Sequence, residues 1–432
     1  MKKIIIFVVY VSLLVLMVGC FGLEGVEYIE FVNEPAEMYI EGTPVNKDEF
    51  QIRAKLTTSS EPVILKLSNS EVTVLGLDFS TTGKKTVTVK YKGVTVSANY
   101  YVVNAIIDTV QELEDIGTNA NYSNLIVGLA NKKFSVVAKK SSTAEDLPKN
   151  YTQSPIVISN GVRLVGQSGT VIEGTAVDPN FYIIRLENGI IENVQITSSY
   201  GVAGANNNAS GIFLDVNDTK NVSILNSQIN NCRSGIQGYI RFGSTVTIEG
   251  NVITGNRTGI LVNEALGQLN LLSNQIVGNK TFGMLFYNIN VADTKVTAEV
   301  EKSNAVARRN NATLLNNVNI KKNVFADNWY AQIESRAPDY KIDISQNYFG
   351  SKPNVLETVI AQETPHPSDG GAFIQRPLDN RNGNLYFPNL SPEGELILNT
   401  GHSEKYISGG YVLNSYYTDI ECTNLVNYNP QD

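Results

Sequence analysis

Histidine and cysteine are scarce in this chain of 432 residues, with only His366, His402, Cys20, Cys232 and Cys422. So few nitrogen and sulfur ligands leave almost nothing for a zinc site. Basic runs are missing as well. Lysine and arginine number 34 against 42 acidic residues, a formal charge of −8. A phosphate backbone therefore meets no electrostatic footprint, and nucleic acid is excluded as a partner. No Ser/His/Asp set and no phosphate-cradling loop is present. What is there is globular in composition, 42% apolar and 18% charged, and long enough for two or three domains. Asparagine is in excess: 49 in the chain, 25 of them between residues 201 and 350.

The chain opens MKKIIIFVVYVSLLVLMVGC. Two lysines, an apolar run from Ile4 to Val18 and small Gly19 before Cys20 form a secretory leader too short for a comfortable membrane span. Met17-Val18-Gly19-Cys20 resembles the bacterial lipobox. The resemblance implies cleavage after residue 19, acylation of Cys20, anchoring to a membrane, and a bacterial cell-envelope location. Loss of Lys2 and Lys3 takes the charge to 32 − 42 = −10. Residues 20–25 then serve as an anchor linker. Cys232 and Cys422 are left as free thiols or as a disulfide.

Residues 26–103 alternate apolar and polar in short runs punctuated by Gly42, Pro62, Gly83 and Gly93, the pattern of a β-sandwich. The stretch GLDFSTTGKKTVTVKYKGVTVSANYYV resembles the closing half of a bacterial immunoglobulin-like domain, with Thr86–Tyr91 and Val94–Val102 as a hairpin. Such modules commonly act as spacers or adhesive units.

Beyond residue 104 a repeat dominates. GIFLD, GIQGY, GILVN and GMLFY begin at Gly211, Gly235, Gly259 and Gly283, 24 residues apart. Beside them run apolar pairs five apart: Ile191/Ile196, Ile224/Ile229, Ile248/Ile253, Leu271/Ile276, Ile320/Phe325 and Ile344/Phe349. Ser227, Asn251, Asn274, Asn323 and Asn347 fall three after the first member of a pair; Asn256, Asn279 and Asn328 fall three after the second. A fixed period with fixed internal offsets is a solenoid signature. Strand-period alternation within each unit selects three short strands per coil, a parallel β-helix with coils stacked about 4.8 Å apart. The asparagines then form structural ladders that satisfy bent backbone groups, with Cys232 substituting at one rung.

This repeat, the opening TVQELEDIG…NLIVGLANKKF…SPIVISNGVRLVGQSGTVIEG and the closing ISQNYFGS resemble the right-handed parallel β-helix of the pectin-lyase-like superfamily. The resemblance implies an all-β chain: immunoglobulin-like sandwich, then a β-helix over 104–350 whose N-terminal end is plugged by a helix from Thr109 to Ile116. A C-terminal cap of low regularity follows over 351–432. One period is lengthened, and 288–317 reads as a long insertion beside the first strand rather than an extra coil.

Alternation on the first strand of each coil directs Arg185, Glu187, Asp215, Tyr239, Asn263, Tyr287 and Glu334 outward, a row of charges, amide and aromatics suited to a sugar chain. Glu187 and Asp215 on adjacent coils are close enough to share a calcium ion. One turn earlier, Arg233, Arg257, Lys280 and Trp329 form a basic stripe that suits an acidic polysaccharide. Lyases of the superfamily bind calcium through acids on that strand face and use Arg or Lys as base; by position Glu187, Asp215 and Arg233 would take those roles. The fragment RAPDYK (Arg336 to Lys341) only partly matches a lyase Arg-x-Pro-x-x-Arg, and the polygalacturonase signatures are absent. The leading expectation is therefore a non-catalytic glycan-binding or adhesion lipoprotein, with a lyase acting on uronate-containing glycan and a passive scaffold as the alternatives.

Overall fold

The computed structural model describes residues 25–137, 154–175, 181–199, 209–216, 219–286, 313–328, 331–335, 340–350, 353–356, 406–408 and 411–429. The leader with Cys20, Tyr287, Trp329 and most of the 288–317 insertion lie outside them. No helix among the described residues is long and apolar enough to cross a membrane. The chain is all-β, and it divides into two compact units at Tyr101/Val102.

The first unit is a two-sheet sandwich. Val26–Phe31, Gln51–Leu56 and Val63–Lys66 make one antiparallel sheet; Met38–Ile40, Val94–Val103, Gly83–Tyr91 and Val72–Leu75, in that spatial order, make the other. Alternation decides what is buried: Ile52 and Ala54 of one sheet, and Val87 and Val89 of the other, are fully enclosed. Tyr100 closes one end of the core. Its hydroxyl donates to the Gly76 carbonyl at 2.6 Å and accepts from the Asp78 N–H at 2.9 Å. Its ring lies edge-on to Tyr39 and Phe79, which stack on each other at 3.9 Å.

The second unit is the parallel solenoid. Each coil lays one strand in each of three sheets of nine, eight and seven strands. In the coil of Ser210–Val216, for example, Asn221–Leu225 and Gln228–Asn230 follow in the second and third sheets before Ser234–Ile240 starts the next coil. Register is constant enough that one residue type piles up. Ile184, Ile212, Ile236, Ile260, Met284 and Ile333 form the inner file of the first sheet. Leu164, Ile191, Ile224, Ile248, Leu271 and Ile320 form that of the second. Ile172, Ile196, Ile229, Ile253, Ile276 and Phe325 form the third. All are at most 1% exposed, and each such burial stabilises by roughly 1.5–3 kcal/mol.

The corners explain the asparagines. The residue before every ladder position has positive φ: Asn226, Gly250, Ser273, Lys322 and Gln346 at one corner, Asn231, Gly255, Gly278 and Asp327 at the other. That left-handed step turns the strand and aims the next N–H along the solenoid axis instead of into a sheet. The side chain below meets it. Asn251 N–H donates to Asn274 Oδ1 at 3.0 Å, Asn274 N–H to Asn323 Oδ1 at 2.9 Å, and Asn323 N–H to Asn347 Oδ1 at 2.9 Å. At the second corner Cys232, Asn256 and Asn279 donate in turn to Asn256, Asn279 and Asn328 at 2.9, 3.1 and 3.0 Å. Cys232 occupies the last rung, fully buried, its thiol donating to the Asn230 carbonyl at 3.2 Å. Cys232 and Cys422 are both free, so of the two sequence-based options the structure contains the thiols and not the disulfide.

The ends differ from the middle. A helix, Val110–Asp115, starts in a capping box between Thr109 and Glu112 and buries Leu113; Ile116 beyond it is also enclosed. Gln268–Leu272 lies directly beside Val318–Lys321, so the long insertion adds no coil. The described parts of the C-terminal segment include short strands. Tyr406–Ser408 pairs in parallel with Ala331–Ser335 on one side and Asn354–Leu356 on the other. Tyr411–Val412 extends the ladder beside Tyr340–Asp343, and Ser415–Tyr417 ends it in a hairpin with Leu425–Asn427. These strands satisfy the backbone groups that an open end would expose.

Candidate functional site

The outer face of the first sheet carries the chemistry. One outward file reads Arg185, Phe213, Gln237, Leu261, Leu285, Glu334. The next pairs Asp215 with Tyr239 and Tyr239 with Glu264, and Glu187 follows directly on Leu186, the partner of Leu214. Arg185, Glu187, Asp215 and Tyr239 therefore do come together. Asn263 and Glu334 do not. A bulge after Gly238 makes Asn263 the extra residue of its strand, and only 7% of it is exposed. Glu334 pairs with Leu285, one file away from the expected one, and is fully buried. The reason is the insertion: equivalent residues across it are 49 apart, as in the Asn274–Asn323 rung, whereas placing Glu334 beneath Tyr287 requires 47.

Within the cluster, charges are matched in pairs. The Arg185 guanidinium donates from Nη2 to Asp215 Oδ2, and its Nε lies 2.8 Å from Glu187 Oε1. That second contact is an ion pair without hydrogen-bond alignment, since Nε has no hydrogen-bond acceptor. Arg241 reaches Asp215 Oδ1 at 3.6 Å and lies over the Tyr239 ring at 5.4 Å. Phe213 joins the two tyrosines, 4.5 Å from Tyr182 and edge-on to Tyr239 at 6.2 Å. Tyr182 and Arg241 were not among the outward residues expected from sequence, whereas the alternation that gives Asp215 also directs Phe213 outward. Arg241 had a visible signal, two residues after Tyr239 in the same alternation. Tyr182 had none, because Phe181, Ile183 and Ile184 around it are all enclosed and break the period.

Burial raises the Glu187 carboxyl above the ordinary carboxylate range, outweighing Arg185, with Asp215 adding to the rise. A carboxyl that binds its proton more tightly when folded adds stability at low pH, and that stability is lost as pH rises through the folded-state value. Glu187→Gln is thus expected to be slightly more stable than wild type at pH 7, and the gain should close as pH falls through the carboxylate range. Paired thermal melts from pH 3 to 8 measure it; a gain that persists unchanged at pH 3 contradicts the assignment.

Calcium does not fit this arrangement. Arg185 already lies against both carboxylates, so an ion would have to displace a guanidinium that neutralises them. Among the described residues, no group of three or more His, Cys, Asp or Glu side chains could hold a metal. The trio inferred for a lyase is also not assembled. Arg233 precedes the strand Ser234–Ile240, and Asp215 pairs with Tyr239 near the far end of that strand, six residues and about 20 Å away in extended backbone.

The basic stripe itself is real as backbone geometry. Arg233, Arg257 and Lys280 donate N–H bonds to the carbonyls of Ala209, Cys232 and Asn256 at 3.0, 2.9 and 2.8 Å, the same step on successive coils. All three side chains are half-buried. Burial and the neighbouring Arg257 pull the Arg233 guanidinium down from its usual value, with Tyr182 opposing.

No curated protein and no solved structure matches the chain. Residues 32–102 match the family model of the bacterial Ig-like domain (group 3), and the N-terminal sandwich is such a domain.

Proposed function

We propose that this is a cell-envelope lipoprotein, acylated at Cys20, whose Ig-like domain spaces a right-handed, pectin-lyase-like β-helix that binds glycan without cleaving it. The observation that carries the reading is the outer face of Tyr182–Leu186, Ser210–Val216 and Ser234–Ile240. There, the half-buried rings of Phe213 and Tyr239, with largely buried Tyr182 packed against Phe213, adjoin two guanidiniums and two carboxylates. Apolar faces of pyranose rings stack on aromatics, while their hydroxyls take up matched donors and acceptors. The separation of Arg233 from Asp215 weighs against the lyase alternative, because proton abstraction needs its groups within hydrogen-bond reach of one reacting centre. The test is a polysaccharide array probed with the exported chain and with Tyr239→Ala. Wild type is expected to retain one class of glycan and the variant to lose at least about ten-fold in affinity, the order of one stacking contact. Equal retention by both chains removes the face from the account.

A further inference from the structure

The same strands end in turns that carry an unexplained apolar edge. Arg241–Ser244 is a tight turn closed by Ser244 N–H donating to the Arg241 carbonyl at 3.2 Å. Gly243, with φ +78°, takes its third position, the arrangement that requires glycine there. Phe242 occupies the second position and is 78% exposed. On the adjacent coil the corresponding turn presents Leu266, 50% exposed, with its N–H donating to the Ile240 carbonyl at 2.8 Å. The coil after that brings exposed Leu314 toward the same edge, three residues before Asn317, whose amide donates to the carbonyls of Ala265 and Gly267 at 2.9 and 2.6 Å. These are three of the six large apolar residues that the described part of the solenoid exposes; Phe242 and Leu266 lie on adjacent turns, and Leu314 in the short strand Thr313–Leu314 beside Tyr340–Lys341.

Size and setting narrow the occupant. One side chain per coil, over coils about 4.8 Å apart, makes a strip roughly 10 Å long and one residue wide. A stable protein interface needs about 800 Å² per partner, far more than three side chains supply. A linear polymer of flat rings fits such a strip, because the repeat of an extended 1,4-linked pyranose chain is close to the rise between coils. The strip also adjoins hydrogen-bonding groups: Arg241, immediately before Phe242, is the residue that leans on Asp215 and Tyr239. That neighbourhood is charge-balanced, Arg185 and Arg241 against Glu187 and Asp215. The cationic side chains of the stripe lie at the opposite end of the strands, and among the described residues the cations beside this turn are Arg241, held against Asp215, and exposed Lys220 on the preceding coil.

Resting on the glycan reading above, we propose that Phe242 and Leu266, continued by Leu314, form the ring-stacking platform for a neutral, extended 1,4-linked polysaccharide running along the solenoid axis. The probes are hexamers of 1,4-linked glucose, N-acetylglucosamine and galacturonate, titrated calorimetrically into the full exported chain. Phe242→Ala and Leu266→Ala are surface changes that leave folding intact. Wild type should bind a neutral hexamer and not the galacturonate, and Phe242→Ala should weaken that binding about ten-fold. If Tyr239→Ala loses affinity while Phe242→Ala stays within two-fold, the platform is wrong and the strand face stands. If neither variant changes binding, both fall. Binding confined to the galacturonate overturns the neutral class. A slower-sedimenting Phe242→Ala chain would make the edge a contact between copies and overturn the platform.

Discussion

Replacing Asn274 with Ala is expected to destabilise the solenoid by about 3–5 kcal/mol, the cost of leaving two or more buried polar groups without partners. Asn274 is the middle rung of the longer ladder and is fully enclosed. Its Oδ1 accepts from the backbone N–H and the side-chain Nδ2 of Asn251 at 3.0 and 2.9 Å. Its Nδ2 donates to the Ile248 carbonyl at 2.8 Å and to Asn323 Oδ1 at 2.9 Å. With a further bond from Nδ2 to the Leu272 carbonyl at 3.0 Å, alanine removes five bonds and offers nothing in exchange at a fully enclosed site. Asn319→Ala is the contrasting case, on the solvent side of the second sheet, and should stay within about 0.5 kcal/mol of wild type. Urea unfolding followed by far-ultraviolet circular dichroism compares the two. A double-mutant cycle on Asn251 and Asn274 should show coupling, because each amide is oriented by the other. Equal losses for Asn274→Ala and Asn319→Ala would remove the ladder from the stability account.

The second large effect is expected from Gly259→Ala. The 24-residue recurrence of glycine at positions 211, 235, 259 and 283 is a steric requirement. A Cβ on Gly259 would lie 2.5 Å from the Gly283 carbonyl oxygen and 2.9 Å from Asn279 Nδ2. The same collision recurs at Gly211, Gly235 and Gly283, where the carbonyl of the adjacent coil stands 2.4, 2.7 and 2.5 Å away. A backbone oxygen fixed in a parallel sheet cannot swing aside as a flexible side chain can. The coil pitch must open locally, which also stretches the Asn256–Asn279 bond of 3.1 Å. The expected loss is about 3 kcal/mol or more, at the upper end for overpacking. A melt of Gly259→Ala within a degree of wild type would mean that the coils tolerate a wider pitch than their register implies.

Much of this architecture was legible in the residues because each coil repeats one physical problem. Inner files demand one apolar residue at a fixed phase, corners demand a left-handed step, and the donor it aims along the axis demands an amide beneath it. Those requirements write the spacings of Ile224/Ile229 and Ile248/Ile253, and of Asn251 and Asn274, directly into the chain. What the spacing could not carry was any local change in length. The bulge at Asn263 adds one residue to a strand, and the insertion after Phe286 shifts the count by an amount that alternation alone cannot fix. Asn263 and Glu334 therefore left the expected outer row, while Arg185, Asp215 and Tyr239, on coils without such changes, kept their places. The pairing of charges was invisible for a different reason: sequence places Arg185 and Glu187 on one face but does not say that the guanidinium turns toward both carboxylates.

On the proposed reading, the face around Phe213 and Tyr239 holds a glycan and leaves it whole. The direct measurement is a calorimetric titration of the chain from Cys20 onward with its best-retained oligosaccharide, followed by mass analysis of the recovered sugar. Saturable binding that Tyr239→Ala weakens, with the oligosaccharide recovered at its original mass, is the predicted result. Shortened or unsaturated products from the wild-type chain, or affinity indifferent to Tyr239, would contradict it.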